Sequence, residues 1–104
     1  MSFYSILNVR NVGLANLNSA DLNATDLSRA NMNEVNLVLA SLGWAFLVMT
    51  DLSGADLSGA NLTGANLTGA NLSEANLSET KLNGAKLNGA KLSEAKLNGA
   101  KLSG

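Results

Sequence analysis

Side chains that could carry out chemistry are common in this sequence, but the groups that usually activate them are missing. The 104 residues contain no Cys and no His, which excludes disulfides, thiolate ligands and the commonest general base. Ser and Thr hydroxyls need such a base to act as nucleophiles. Asp51 and Asp56 are five residues apart and form no obvious acid–base pair. We therefore expect no catalytic residues, no cofactor, no metal site and no small-molecule site.

Charged residues are distributed unevenly along the chain. Residues 1–79 hold two Arg against four Asp and three Glu, for −5, and residues 80–104 hold five Lys against one Glu, for +4. The net charge of −1 is typical neither of a basic nucleic-acid-binding protein nor of a strongly acidic one. No aromatic residues lie between the lysines to stack on bases, which also argues against a nucleic-acid partner.

A five-residue repeat organises almost the whole chain. Counting in steps of five from Leu7 to Leu102, eighteen of the twenty central positions are Leu. Fourteen of the twenty residues that lie two before a centre are Ala. The residue directly before a centre is mostly Asn, Asp or Lys. Among these we expect axial side-chain ladders from Asn61, Asn66, Asn71 and Asn76.

The repeat fits neither an α-helix nor a continuous strand. Five residues advance about 500° around a helix, so the leucines would point in every direction. In a strand, each Ala–Leu pair would fall out of phase with the next unless the chain turned between them. Eight of the twenty residues two after a centre are Gly, which suits a turn with positive φ. Four others are Glu, for example Glu34 and Glu74, and there we expect a different turn.

The repeats resemble those of a known protein family. The stretch ADLSGANLTGANLTGANLSEANL is similar to the A(D/N)LXX motif of the pentapeptide-repeat proteins, and the resemblance covers residues 15–104. It implies an all-β fold, a right-handed quadrilateral β-helix (β-solenoid) with four pentapeptides per coil and with Leu and Ala inside. The twenty pentapeptides would then make about five coils, without a lumen or a pocket.

The first residues fit the repeat less well. Arg10 would occupy an inward position that is usually Ala, where an unpaired charge is costly. We therefore expect residues 1–13 to form an irregular N-terminal segment or a partial first coil, and residues 14–104 to form the β-helix. The N-terminus has no basic leading region followed by a long apolar run, so we expect no secretory signal and, by default, a cytoplasmic protein.

A second departure is the apolar segment VNLVLASLGWAFLVM at residues 35–49. Fifteen residues are fewer than the roughly 20 that a membrane span needs. A local helix covering the solenoid is an alternative, but the frame continues through Leu37, Leu42 and Leu47, which favours a continued β-helix. Contiguous exposed apolar side chains usually mark a contact surface. We therefore predict a lateral protein-contact patch at Val38, Leu39, Trp44, Phe46, Val48 and Met49.

The C-terminal repeats carry the lysines and suggest a second contact. Four lysines would lie on four successive sides of one coil, as a cationic collar, and Lys101 would return to the side of Lys81. The motif continues to Gly104 without a cap, and unpaired backbone edges recruit further strands. We therefore predict end-to-end contact between copies, as a homo-oligomer or filament. The contact residues would be Leu7, Asp21, Lys86, Lys91, Lys96 and Lys101.

Two arrangements of this end-to-end contact remain open. Head-to-tail addition in frame would place Leu7 over Leu87 and Asp21 after Lys101, and it would propagate as a fibre. Pairing of two C-terminal ends would instead oppose two lysine collars, a repulsion that salt screens.

The sequence thus predicts a non-enzymatic structural or interaction β-solenoid that associates end to end. Resemblance to the family adds one alternative, a DNA mimic that binds type II topoisomerases. That activity depends on a strongly acidic rod, which this chain lacks. A monomeric protein-binding scaffold is the other alternative, because family membership alone does not decide function.

Overall fold

The computed structural model describes residues 11–104, which form one rod built from the five-residue units. In each unit one residue forms a β-bridge with the neighbouring coil, and the chain then turns onto the next side of the rod. Each side therefore contains isolated bridges and no longer strand. Fifteen parallel bridges join residues that are twenty apart, from Asn11–Asn31 to Lys81–Lys101. Four units therefore complete one coil, and the predicted period is confirmed.

The corners of the rod all have the same backbone form. In one unit the N–H of Ala55 donates to the carbonyl of Leu52 at 3.0 Å, and Gly54 between them has a φ of +68°. Positive φ at the third position is typical of a type II turn and favours Gly. The Glu corners have it too, with +56° at Glu34 and +62° at Glu74. The expectation of a different turn at the Glu corners is therefore wrong.

The pairing between coils explains why Glu adopts this backbone. The N–H of Glu34 donates to the carbonyl of Ser53 at 2.8 Å, as the N–H of Gly54 does to Ser73 at 2.9 Å. A corner of another shape would interrupt this ladder. An L-residue in the left-handed region costs roughly 1–2 kcal/mol, whereas each buried backbone group left unpaired costs about 1–3 kcal/mol. Continuity of the ladder therefore outweighs the preference of the single residue.

Leu and Ala fill the interior of the rod, as predicted. The central side chains from Leu22 to Leu77 are at most 1% exposed. Leu42, Leu62 and Leu82 follow one another along one side, because their preceding residues are bridged in the same order. Where Thr replaces an inward Ala, its hydroxyl is paired: Thr50 donates to the carbonyl of Leu27 at 2.8 Å.

Outward Asn and Asp side chains stabilise the corners locally. The Oδ1 of Asn61 accepts the N–H of Thr63 at 3.0 Å and the Thr63 hydroxyl at 2.6 Å. Asn66, Asn71 and Asn76 likewise accept the N–H of the residue two further on. The expected axial ladders of these Asn side chains are therefore wrong, because each Oδ1 is engaged within its own corner.

Regular pairing is present at the N-terminal limit of the described residues. Asn11 is bridged to Asn31, whose carbonyl accepts the N–H of Val12 at 2.8 Å. Arg10 and Leu7 lie outside the described residues. The proposed division at residue 13 and the total of about five coils therefore stay predictions.

Candidate interaction surface

The six residues of the predicted lateral patch form an apolar belt that runs along one coil. At its corners Leu39, Trp44 and Met49 are exposed, with 68% of Trp44 accessible, and Phe46 is 49% exposed. The two valines of the belt are half-buried. Residues 35–50 keep the bridge-and-turn pattern, so no helix covers the solenoid there. Nor does any helix among the described residues have the length and apolar character needed to cross a membrane.

Most of the belt borders one side of the rod, which we call the Phe46 side. Its bridge residues, in order along the axis, are Asp26, Phe46, Asn66 and Lys86. Trp44 lies at the corner before Phe46, and Val48 and Met49 lie at the corner after it. The neighbouring Ser41 side has the bridge residues Asp21, Ser41, Asn61, Lys81 and Lys101. An aromatic bridge residue thus distinguishes the Phe46 side.

Large corner side chains extend over glycines of the next coil. A Cβ atom placed on Gly64 would be 2.5 Å from Cζ3 of Trp44, which is an overlap. The indole therefore lies over bare backbone and reaches towards the level of the following coil. The same arrangement recurs in the pairs Leu39–Gly59 and Met49–Gly69. Sequence reasoning missed these glycines, although the twenty-residue spacing between a large residue and Gly was a usable signal.

The corner residues of the belt share a backbone strain with every other non-Gly corner of the described rod, from Leu14 to Glu94. Trp44 has a φ of +57° and Met49 a φ of +61°, where Gly would be unstrained. Phe46 occupies a position at which an Asn or Asp side chain elsewhere accepts the N–H of the residue two further on. Oδ1 of Asn66, for example, accepts the N–H of Thr68 at 3.1 Å. The belt is therefore distinguished by its cluster of exposed large apolar side chains and not by its backbone strain.

An acidic depression lies on another side of the rod. It is open, has a volume of about 320 Å³, and is lined by Glu34, Ser53, Gly54 and Glu74. The depression is on the surface, whereas the expectation of no pocket concerned the interior, which Leu and Ala fill. Across residues 11–104, no group of three or more potential metal ligands is close enough to hold an ion.

The predicted end-to-end residues are separated within one chain. Lys86, Lys91 and Lys96 are exposed on three successive sides, and Lys101 is bridged to Lys81 on the side between Lys96 and Lys86. Asp21 is exposed on the side of Lys101 but four coils away, so contact between them needs two copies. The sixth predicted residue, Leu7, lies outside the described residues.

The last described coil presents an open edge. Elsewhere the N–H of each central residue donates to the following coil, as Leu67 does to Lys86 at 2.7 Å. The corresponding N–H groups of Leu87 and Leu92 have no backbone acceptor among residues 11–104. Leu102 is 56% exposed, whereas Leu42, Leu62 and Leu82 in the same column are buried. These N–H groups and the Leu102 side chain thus lie at the edge of the described rod.

Comparison with protein-family models agrees with this architecture. The model described as pentapeptide repeats matches residues 15–48, 36–73 and 70–104, with eight copies. The chain belongs to the pentapeptide-repeat family. Proteins of this family form right-handed quadrilateral β-helices and are generally structural or interaction proteins.

Solved structures of this family resemble the described rod. A pentapeptide-repeat protein of the Arabidopsis thaliana thylakoid lumen is 28% identical, with a TM-score of 0.84, over 86% of this chain and 63% of that one. Rfr23 from the cyanobacterium Cyanothece 51142 is 41% identical, with a TM-score of 0.51, over 85% of this chain and 60% of that one. The chain thus spans about three fifths of the length of these pentapeptide-repeat relatives.

A third similarity concerns QnrB1, a plasmid-mediated fluoroquinolone resistance protein. It is 25% identical, with a TM-score of 0.44, over 95% of this chain and 52% of that one. A score of that size carries no argument about the activity of this chain. A comparison with curated protein sequences gave no match.

Proposed function

We propose that this pentapeptide-repeat chain is a non-enzymatic interaction protein whose apolar belt binds protein. The observation that carries the proposal is Trp44, which is 68% exposed at a corner with a φ of +57°. Covering an exposed indole with a partner removes apolar surface from water, which is favourable. Trp is also enriched among the residues that dominate binding energy. Protein contact therefore accounts for a large aromatic side chain that is otherwise left in water.

The belt could instead serve the fold, and the interior argues against that. Leu42, Ala45 and Leu47 are fully buried beneath the belt, so the inward frame is complete without it. Phe46 continues the backbone ladder as any residue would, with its N–H bonded to the carbonyl of Thr25 at 2.9 Å. What the belt adds to the fold is limited to the cover it gives to corner glycines.

The test replaces the belt with residues that the repeat uses elsewhere. The variant carries Val38→Ser, Leu39→Gly, Trp44→Gly, Phe46→Asn, Val48→Thr and Met49→Gly. At a concentration where both chains are monomeric, the thermal midpoint should be unchanged or higher, because strained corners are relieved. A midpoint lower by more than about 8 °C, roughly 1–2 kcal/mol in a domain of this size, would assign the belt to the fold and contradict the proposal.

A second candidate function, end-to-end self-association of the 104-residue chain, is favoured by the open edge at Leu87, Leu92 and Leu102. An in-frame copy would continue the twenty-residue period, with Asp21 following Lys101 on one side. The opposite charges of those two residues favour head-to-tail addition over the pairing of two lysine collars. Further coils of a longer chain would cover the same edge in the same way.

Negative-stain electron microscopy over a concentration series tests end-to-end association. Head-to-tail addition should give rods that lengthen with concentration, and a polar folded domain fused after Gly104 should block their growth. Pairing of C-terminal ends should give rods of double length and no longer. A 104-residue chain that stays monomeric at high concentration would show that end-to-end association is wrong.

The DNA-mimicking alternative has less support. Lys81, Lys86, Lys91 and Lys96 form a positive collar around the rod, and residues 80–104 carry a net charge of +4. A surface that imitates the phosphates of DNA needs negative charge along its length. No feature of the described rod favours topoisomerase binding over other protein contacts.

A further inference from the structure

We infer that the Phe46 side binds a second copy of the chain in antiparallel orientation, across a two-fold axis midway between the levels of Phe46 and Asn66. The inference rests on the proposed contact role of the belt and names its partner. It concerns a lateral contact between rods, which is independent of any contact between their ends.

Charge along the Phe46 side is self-complementary under this symmetry. Asp26 is one coil before Phe46, and Lys86 is one coil after Asn66. A two-fold axis between the middle levels therefore brings Asp26 of each copy opposite Lys86 of the other. Both residues are exposed, so two opposite-charge pairs would close the two ends of the contact.

The parallel arrangement is disfavoured by the same two residues. A two-fold axis along the rods would place Asp26 opposite Asp26 and Lys86 opposite Lys86. Like charges brought together at an interface cost affinity, whereas opposite charges fix the register. Charge thus selects the antiparallel orientation.

The corner side chains meet at the height of the symmetry axis. Antiparallel packing brings each corner column opposite its own counterpart in the second copy. The ring of Trp44 extends from its own level over Gly64, which places the indole between the two middle levels. The two indoles would therefore face each other, and aromatic pairs add about 0.5–1.5 kcal/mol beyond the area they bury. Met49 over Gly69 would meet its counterpart at the opposite corner.

The Ser41 side provides an internal comparison. Asp21 and Lys81 occupy there the levels that Asp26 and Lys86 occupy on the Phe46 side. The charge order is the same, but the apolar bridge residue is replaced by Ser41. The area of one side of the rod is small compared with stable interfaces, so we expect a weak dimer. A side without Phe46 should therefore not dimerise measurably.

Charge reversal tests the antiparallel register. In sedimentation equilibrium, Asp26→Lys and Lys86→Asp should each raise the dimer Kd about tenfold, and the double variant should restore it to within about threefold of the original, because the pairs re-form with reversed sign. The matched changes Asp21→Lys and Lys81→Asp should leave the Kd within about threefold. Equal effects on both sides would overturn the inference.

Engineered cysteines give a second readout, since the chain has no natural Cys. Residues 26 and 86 are three coils apart, about 14 Å, too far for a disulfide within one chain. Mild oxidation of the Asp26→Cys/Lys86→Cys variant should therefore give covalent dimers, whereas Asp21→Cys/Lys81→Cys should remain monomeric. Equal cross-linking of both variants, or efficient cross-linking of Asp26→Cys alone, would overturn the antiparallel register.

The two proposals fail in different ways. A chain that is monomeric at every accessible concentration overturns the dimer but leaves the belt as a surface for another protein. A belt variant of much lower thermal stability overturns the proposed contact function itself. The stability measurement is made on monomers, so it does not depend on the dimer.

Discussion

The indole of Trp44 lies over the backbone of Gly64, its counterpart one coil further along the rod. This pairing couples a large residue to a glycine twenty positions later, and Leu39 and Met49 repeat it on neighbouring corners. The glycine has no side chain that would push the indole away from the coil. The belt therefore involves two coils: the first coil carries the apolar side chains, and the second provides the glycines over which they lie.

Gly64→Ala should displace the indole. The added Cβ would overlap the Trp44 ring, and Gly64 has a φ of +69°. We expect a loss of about 2–3 kcal/mol, of which roughly 1–2 kcal/mol is backbone strain and the rest the overlap. Denaturant unfolding measures the loss. Gly84→Ala is the matched control, because its φ is +71° and its nearest neighbours are backbone atoms of Gly64 at 3.9 Å.

A double-mutant cycle separates the ring from the backbone. In a Trp44→Gly background, Gly64→Ala should cost no more than Gly84→Ala, because the overlap has been removed. An unchanged cost in that background would mean that the ring does not lie over Gly64.

Leu62→Ala should destabilise the rod by about 2–5 kcal/mol, since it removes buried methyl groups and leaves a cavity between two coils. Leu62 is fully buried, whereas Leu102 in the same column is 56% exposed. Leu102→Ala is the control and should cost under about 1 kcal/mol. Similar losses in the two variants, measured by denaturant unfolding, would contradict the four-sided packing.

Asn61→Ala should cost about 0.5–1.5 kcal/mol, because the N–H and hydroxyl of Thr63 lose their acceptor. The reverse change is Lys81→Asn, one coil later on the same side, which supplies an acceptor for the N–H of Asn83. It should raise the thermal midpoint, whereas Lys81→Ala, which has no acceptor, should not. Equal midpoints for both Lys81 variants would show that the local bond does not stabilise the corner.

Much of this fold could be predicted from the sequence because its period is strict. The spacing of Leu42, Leu62 and Leu82 fixes the inward column, and the lysines follow the same frame. The Glu corners were mispredicted because local preference was applied residue by residue. At Glu34 the bond from its N–H to Ser53 in the next coil imposes the shape, and that bond is not visible in a single repeat.

The candidate site was only partly predictable. The exposed positions of Trp44 and Phe46 followed from the frame. Their orientation did not, because it depends on how corner side chains lean towards the next coil. The twenty-residue period places Gly64 one coil after Trp44 and puts Asp26, Phe46 and Lys86 in one column, but the contact between the indole and Gly64 needed the three-dimensional structure.

The most direct test of the contact role uses the fluorescence of Trp44, the only Trp in the chain. Emission is recorded across a dilution series whose masses are known from sedimentation. The account predicts red-shifted emission from the dilute monomer and a shift to shorter wavelength in step with dimer formation, because the indole leaves water. Emission that is already at short wavelength in the monomer, or that stays unchanged while the mass doubles, would contradict it.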